Sequence, residues 1–328
     1  MIKRMAVVVF LLTFAASAAA QIRGAWTAEV NESDPSKFHL QISRRNNNSG
    51  RTMRVSSFAG LSAAQMRSTT QVPANFALRS EAGAIDFEGT FKEGYGAGQF
   101  TFTPNPSFLD NVRSLGVSVE PGGKHRGRER NLDERLLHYT INDVTTAFIR
   151  SMQAEGYNVS LDEYLSFRIF RVDPQLVRDL ASLGYRNIDA DDLVSSQIHR
   201  VTPQYIRDMN AAGFRDLALH DLVSTRIHRV TPEFAREMSE LGYSNLDRGD
   251  LTSFRIHRVT PEFIRELREL GYDNIPASKL VSMRIHRVTP EFIREMKAAG
   301  YSNIPVDKLI SMKIHGVDAV FTRKMNGM

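Results

Sequence analysis

Five histidines recur at one position of a repeated sequence, and their type and spacing are the first suggestion of chemistry. They follow one another at intervals of 29 residues: His199, His228, His257, His286 and His315. Imidazoles in register could bind a metal ion or respond to pH. A shared zinc ion needs each ligand nitrogen at about 2 Å, whereas stacked helices lie about 8–10 Å apart. We therefore expect no metal site, and we interpret the histidines as donors near helix C-termini, with a weak pH response as a secondary hypothesis.

An arginine follows each of the first four histidines, at Arg200, Arg229, Arg258 and Arg287. Guanidinium groups repeated in register suit acidic peptides, phosphates or surface carbohydrates. We predict that these arginines bind a partner, together with the neighbouring His199, His228, His257 and His286. A second series pairs an arginine with an acid, from Arg178–Asp179 to Arg294–Glu295, and its alternating sign favours a solvated face with salt bridges between repeats.

None of the catalytic patterns sought is present in the sequence. It has no H-E-x-x-H, G-x-S-x-G or G-x-x-x-x-G-K-[ST] motif. The absence of cysteine excludes disulfides and thiolate chemistry. We predict a non-enzymatic protein without catalytic residues, metal or cofactor. An enzyme with an unfamiliar site, in the N-terminal region or at its junction with residues 117–131, is an alternative.

Repeats of 29 residues must position the histidines and arginines. Five consecutive copies align without a gap, a shorter copy precedes them and a truncated one follows: they begin at Val172, Val201, Val230, Val259 and Val288, with the flanking copies at Val144 and Val317. In each copy a first helix is marked by an N-cap such as Thr231, by Pro232 at the first helical position and by a C-terminal Gly242. Six near-complete copies predict a helical array.

A second helix follows the first within each copy. In the copy that starts at Val172, we expect Asp189 to be its N-cap and Leu193, Val194 and Ile198 to supply its buried side. One short hairpin cannot bury its apolar faces alone, but stacked neighbours share a core. An α-solenoid is therefore predicted, with a closed bundle as the alternative.

Residues 21–104 have a different pattern, with short alternating runs separated by turn-forming clusters such as Asn46–Gly50. About six antiparallel strands are predicted. The fold class is thus an α+β multidomain protein, with a small antiparallel β domain followed by an α-helical hairpin repeat array. Residues 105–143 are interpreted as an atypical capping repeat with a basic loop insertion, and residues 144–328 as the array.

Residues 1–20 resemble a secretory signal peptide, because Lys3 and Arg4 precede an apolar run that ends in Ala18-Ala19-Ala20. This predicts a periplasmic or secreted protein without a membrane span after cleavage. The formal net charge is +5, but residues 144–328 carry 25 Lys and Arg against 24 Asp and Glu. Without a basic platform, nucleic-acid binding is not expected.

The blocks VTPEFIRELRELGYDNI and VTPEFIREMKAAGYSNI resemble repeats in exported bacterial proteins and in the extracytoplasmic part of membrane sensors of the BlaR1 metallopeptidase type. The order of signal, AWTAEV strand, DFEGTF and GQFTFTP hairpin and repeats is also similar. The resemblance implies sensing or protein binding at the bacterial envelope. The peptidase motif of those sensors is missing here.

Together these features predict an exported protein–protein or peptide interaction module. A structural or stress-related repeat protein without a tight ligand is the principal alternative.

Overall fold

The computed structural model describes residues 21–44, 47–120, 132–244, 246 and 248–317. The predicted signal peptide, most of the basic insertion and almost all of the truncated last copy lie outside the described residues. The chain divides into two compact units, Met1–Ile169 and Phe170–Met328. Within the described ranges, no helix combines the length and the apolar character that crossing a membrane requires.

The first unit contains the predicted antiparallel sheet. Its strands, in sheet order β3-β2-β1-β6-β5-β4, are antiparallel throughout: β1 (Ile22–Val30), β2 (Lys37–Arg44), β3 (Asn47–Arg54), β4 (Val72–Ser80), β5 (Gly83–Lys92) and β6 (Tyr95–Pro104). The alternating sequence runs form strands because one face of each is buried. Trp26 lies in this core, 5.1 Å between ring centroids from Phe76, which stacks on Phe87 at 4.6 Å.

The prediction of a turn through Asn46–Gly50 is wrong for Asn47 to Gly50, which belong to β3. Pairing with β2 provides ladder hydrogen bonds that override the low strand propensity of asparagine and glycine. His39 of β2 lies across Gly50, where a Cβ atom would be only 2.7 Å from His39 Nε2. Glycine at this position therefore allows the histidine to cover the strand.

Five helices accompany the sheet: α1 (Ala63–Met66), α2 (Ser107–Ser114), α3 (Leu132–Ile141), α4 (Thr146–Ala154) and α5 (Leu161–Phe170). Helix α3 contacts β4, β5 and β6. Glu81, between β4 and β5, accepts hydrogen bonds from the backbone N–H and the hydroxyl of Thr146, at 3.0 and 3.1 Å. The sheet thus holds the start of α4 through a charged side chain.

The second unit contains the predicted array of helical hairpins from the copy at Val172 onward, whereas most of the shorter copy at Val144, with α4 and α5, lies in the first unit. The first helices of its repeats are α6 (Pro174–Ser182), α8 (Pro203–Ala211), α10 (Pro232–Glu240), α12 (Pro261–Glu269) and α14 (Pro290–Ala298). The second helices are α7 (Ala190–Ile198), α9 (Leu219–Ile227), α11 (Arg248–Ile256), α13 (Ala277–Ile285) and α15 (Val306–Ile314). Each first helix contacts the next first helix, and each second helix the next second helix. Stacking therefore proceeds from neighbour to neighbour, as in a solenoid.

The first helices begin as the sequence predicts. The Thr231 hydroxyl accepts a hydrogen bond from the backbone N–H of Phe234, and Pro232 occupies the first turn. At the other end, Gly242 has φ +87°, which a side chain would strain. Asp189 is the N-cap of α7, but its side chain makes no capping hydrogen bond.

Half-buried tyrosines connect consecutive repeats by hydrogen bonds. The phenols of Tyr185, Tyr243 and Tyr272 donate to the carbonyls of Leu217, Ile275 and Ile304, at 2.6, 2.7 and 2.7 Å. Each acceptor lies 32 residues after its donor, in the next repeat. Burial raises the pKa of these phenols, so they stay protonated donors at neutral pH.

We predict that Tyr243→Phe lowers the free energy of unfolding by about 1 kcal/mol, because the Ile275 carbonyl loses its donor. Urea unfolding followed by circular dichroism measures the change. Tyr95→Phe, at an exposed position of β6, is the control and should have a smaller effect. Equal stability of Tyr243→Phe and the wild type would contradict a role for the tyrosine in joining repeats.

Candidate functional site

The predicted binding arginines lie at the C-terminal ends of the second helices. Arg200, Arg229, Arg258 and Arg287, hereafter the arginine ladder, have φ of 57, 58, 57 and 56°. After each comes a buried valine whose N–H donates to a carbonyl of the preceding helix, as Val230 does to Thr225 at 2.8 Å. This 6→1 bond is that of a Schellman motif, which places the intervening residue in the left-handed region. The helix end therefore imposes the unusual backbone of the arginines.

A left-handed backbone is a cost for arginine that glycine would avoid. It disfavours an L-residue by about 1–2 kcal/mol. In the copy that starts at Val288 the same position is Gly316, with φ +68°, so the helix end accepts glycine. The first helices also end in glycine, with φ between +87 and +98°. Arg171, at the equivalent position after α5, also has a left-handed φ of 60° and an exposed side chain. The backbone does not explain why these positions carry arginine.

The side chains of the arginine ladder are exposed. In the part of the chain that the structure describes, they make no hydrogen bond or ion pair. An unpaired guanidinium retains all five donors for a ligand. The four arginines thus present positive charge at equivalent places of four successive repeats.

The arginine three residues earlier has a different role. Arg226, Arg255 and Arg284 lie over the rings of Tyr205, Phe234 and Phe263, with the guanidinium carbon 4.7, 4.4 and 4.9 Å from the ring centroid. Each also donates to a carbonyl at the end of a preceding second helix, as Arg255 Nε does to Arg229 O at 2.8 Å. These arginines join repeats, a function that the sequence analysis missed because both arginines occur in the same R-I-H-R motif.

Isoleucines next to the arginine ladder are exposed, against expectation. The prediction that Ile198 is buried is wrong, since it is 49% exposed, and Val194 is only half-buried. Ile198, Ile227, Ile256 and Ile285, hereafter the isoleucine ladder, are 49, 52, 53 and 51% exposed. The helix ends immediately after them, and the valine beyond the left-handed arginine fills the core instead, as Val230 does at 1% exposure. An apolar stripe therefore runs beside the arginines.

The predicted histidines lie between the two ladders in sequence. His199, His228, His257 and His286 are half-buried, each directly after a second helix. Their backbone N–H groups make helical hydrogen bonds, such as that from His228 to Ser224 at 3.0 Å. Across the described residues, no group of three or more His, Asp or Glu side chains is arranged to hold a metal ion.

The predicted salt bridges between repeats are confirmed for two members of the arginine–acid series. Arg265 pairs with Glu237 at 3.1 Å, and Arg294 with Glu266 at 2.9 Å. Arg207 instead donates to Gln204 of its own helix, where later repeats have glutamate. Many of the charged side chains on the first helices are thus paired with one another, whereas the side chains of the arginine ladder are unpaired.

A shallow hollow of about 320 Å³ in the sheet is the other candidate site. Its polar lining includes Glu29 and His39, which are register partners on β1 and β2, and Tyr95 of β6. All three residues are exposed. Solvated side chains in an open hollow lack the water-excluded environment that strengthens electrostatic catalysis.

No family model matches the sequence, and the searches of curated proteins and of solved structures also return no match.

We predict opposite effects on stability for two arginines of one motif. Arg255→Leu should lower the free energy of unfolding by about 1–3 kcal/mol, because it removes the contact with Phe234 and the donors to Arg229 O. Arg258→Gly should leave stability unchanged or raise it by up to about 1 kcal/mol, because relief of the left-handed backbone offsets the greater entropy of unfolded glycine. Urea unfolding curves measure both.

A loss of stability in Arg258→Gly as large as that in Arg255→Leu would mean that the fold needs the arginine side chain. Arg258→Asn separates the backbone effect from the side-chain effect, because asparagine tolerates the left-handed region better than most residues.

Proposed function

We propose that this protein is a non-enzymatic interaction module of the bacterial envelope, and that its helical repeats bind a protein or peptide partner through the arginine and isoleucine ladders. The observation that carries the proposal is the unpaired, left-handed arginine in four successive repeats. A residue kept in a disfavoured conformation without a local contact is typical of a functional position.

The surface has the composition of a protein-binding site. Arginine is enriched at protein interfaces, where its planar group forms several hydrogen bonds at once. The isoleucine ladder adds apolar side chains that are about half exposed and that a partner could cover. Each of four successive repeats carries one isoleucine and one arginine at these positions. A long partner can therefore contact several repeats at once, and several weak contacts together give a higher affinity than one.

The predicted export of the protein favours a binding partner in the bacterial envelope. The signal-like residues 1–20 and the resemblance of the repeats to the extracytoplasmic part of BlaR1-type sensors both favour this location. Contacts between repeats already involve the half-buried tyrosines and the Arg226, Arg255 and Arg284 side chains. The arginine ladder is therefore available for binding without loss of those contacts.

Crosslinking capture from envelope extract, with the mature chain as bait, tests this proposal. A variant with Arg200, Arg229, Arg258 and Arg287 all changed to Gly should lose the saturable partner that the wild type captures. The matched control changes Arg207, Arg236, Arg265 and Arg294 to Gln, which removes the same number of charges from the first-helix face. This control variant should retain the partner, because its arginines lie on the first helices, away from the ladder in sequence, and Arg265 and Arg294 pair with acids of neighbouring first helices.

Equal capture by the wild type and the arginine-ladder variant would contradict the proposal. Circular dichroism of both variants, recorded before capture, establishes that each retains its helices.

A further inference from the structure

We infer that the partner segment is an extended, acidic polypeptide in the polyproline II conformation, with a carboxylate at every third residue and apolar residues between. This inference rests on the proposed function and specifies its ligand. It is argued from the stacking of the second helices, the charge left unpaired at their ends and the apolar side chains beside that charge.

The stacking of the second helices favours a ligand with a period of three. Consecutive second helices contact one another from α7 to α15, and packed helices lie about 8–10 Å apart. A polyproline II chain rises about 3.1 Å per residue and completes a turn in three residues, or about 9.3 Å. Every third side chain therefore returns to the same face at a distance within the range for packed helices. A β-strand does not do so, because its side chains alternate with a period of two.

The unpaired charge favours carboxylates in the ligand. Acids do follow the arginines in sequence, but Glu262 and Glu291 already pair with Arg265 and Arg294, at 3.4 and 3.2 Å. Hydrogen bonds from their own backbone N–H groups also lower the pKa of both glutamates, as helix N-termini favour. These acids are engaged within the first helices, so Arg258 and Arg287 keep their charge for a ligand.

The isoleucine ladder favours a polypeptide over an acidic polysaccharide. Ile227 and Ile256 are 52 and 53% exposed, and burying them requires apolar ligand groups. A uronate polymer would place hydroxyl groups against them and lose hydration without a new hydrogen bond. Apolar side chains between the carboxylates of a peptide can cover the isoleucines without burying a hydroxyl group.

Fluorescence anisotropy with synthetic peptides and the mature chain tests the inference. The probe contains five Glu-Pro-Val units, and the matched control has the same composition with its glutamates in one block. The periodic peptide should bind at least about tenfold tighter than the blocked peptide, and added salt should weaken its binding. The variant with four ladder arginines changed to Gly should bind it at least about tenfold more weakly, and the first-helix Gln variant should match the wild type. A second ladder variant, with Asn at the four positions, should also lose binding and guards against an effect of glycine on folding.

Three results would overturn the inference: equal affinity for the two peptides, tighter binding of a helical peptide with glutamate at every seventh residue, or tighter binding of polygalacturonate. If the periodic peptide does not bind but the ladder variant still loses its captured partner, the ligand inference fails and the proposed function stands. If the periodic peptide binds the wild type and the ladder variant equally, the ligand inference is wrong, and if both proteins also capture the same partner equally, the proposed function is wrong as well.

Discussion

Each repeat depends on its neighbours to bury its apolar residues, and this constraint determines the structure of the second unit. A hairpin of two nine-residue helices has no core of its own, so first helices stack on first helices and second helices on second helices. Half-buried tyrosines and the aromatic-stacked arginines then join one repeat to the next. Because each helix stacks on the corresponding helix of the next repeat, a side chain at a helix end recurs from repeat to repeat.

The ends of the second helices form a surface on which the same exposed side chains recur in successive repeats. The Schellman turn after each of α7, α9, α11 and α13 buries a valine, leaves the preceding isoleucine half exposed and holds an arginine in the left-handed region. Glycine at position 316 meets the same backbone requirement without a side chain. The four arginines therefore adopt a backbone conformation that arginine disfavours, whereas most residues of the array adopt conformations that their residue types favour.

The 29-residue period, the N-cap threonines and the glycine ends were sufficient to predict the helices, and alternation predicted six strands. The positions of the arginine ladder followed from the same period. Periodicity placed Ile198 in the core, however, because it cannot indicate that the chain reverses one residue later and that Val201 takes the buried position. It also could not distinguish Arg255 from Arg258, since only the stacked neighbour gives Arg255 its ring and its carbonyl acceptor.

The central claim is that a ligand covers the isoleucine and arginine ladders. Methyl NMR of the mature chain, labelled at the isoleucine δ-methyl groups and titrated with the periodic acidic peptide, tests it most directly. We expect shifts at Ile198, Ile227, Ile256 and Ile285, with the buried Ile206, Ile264 and Ile293 of the first helices unchanged. Shifts at the buried isoleucines or in the β sheet, with none along the isoleucine ladder, would contradict the claim.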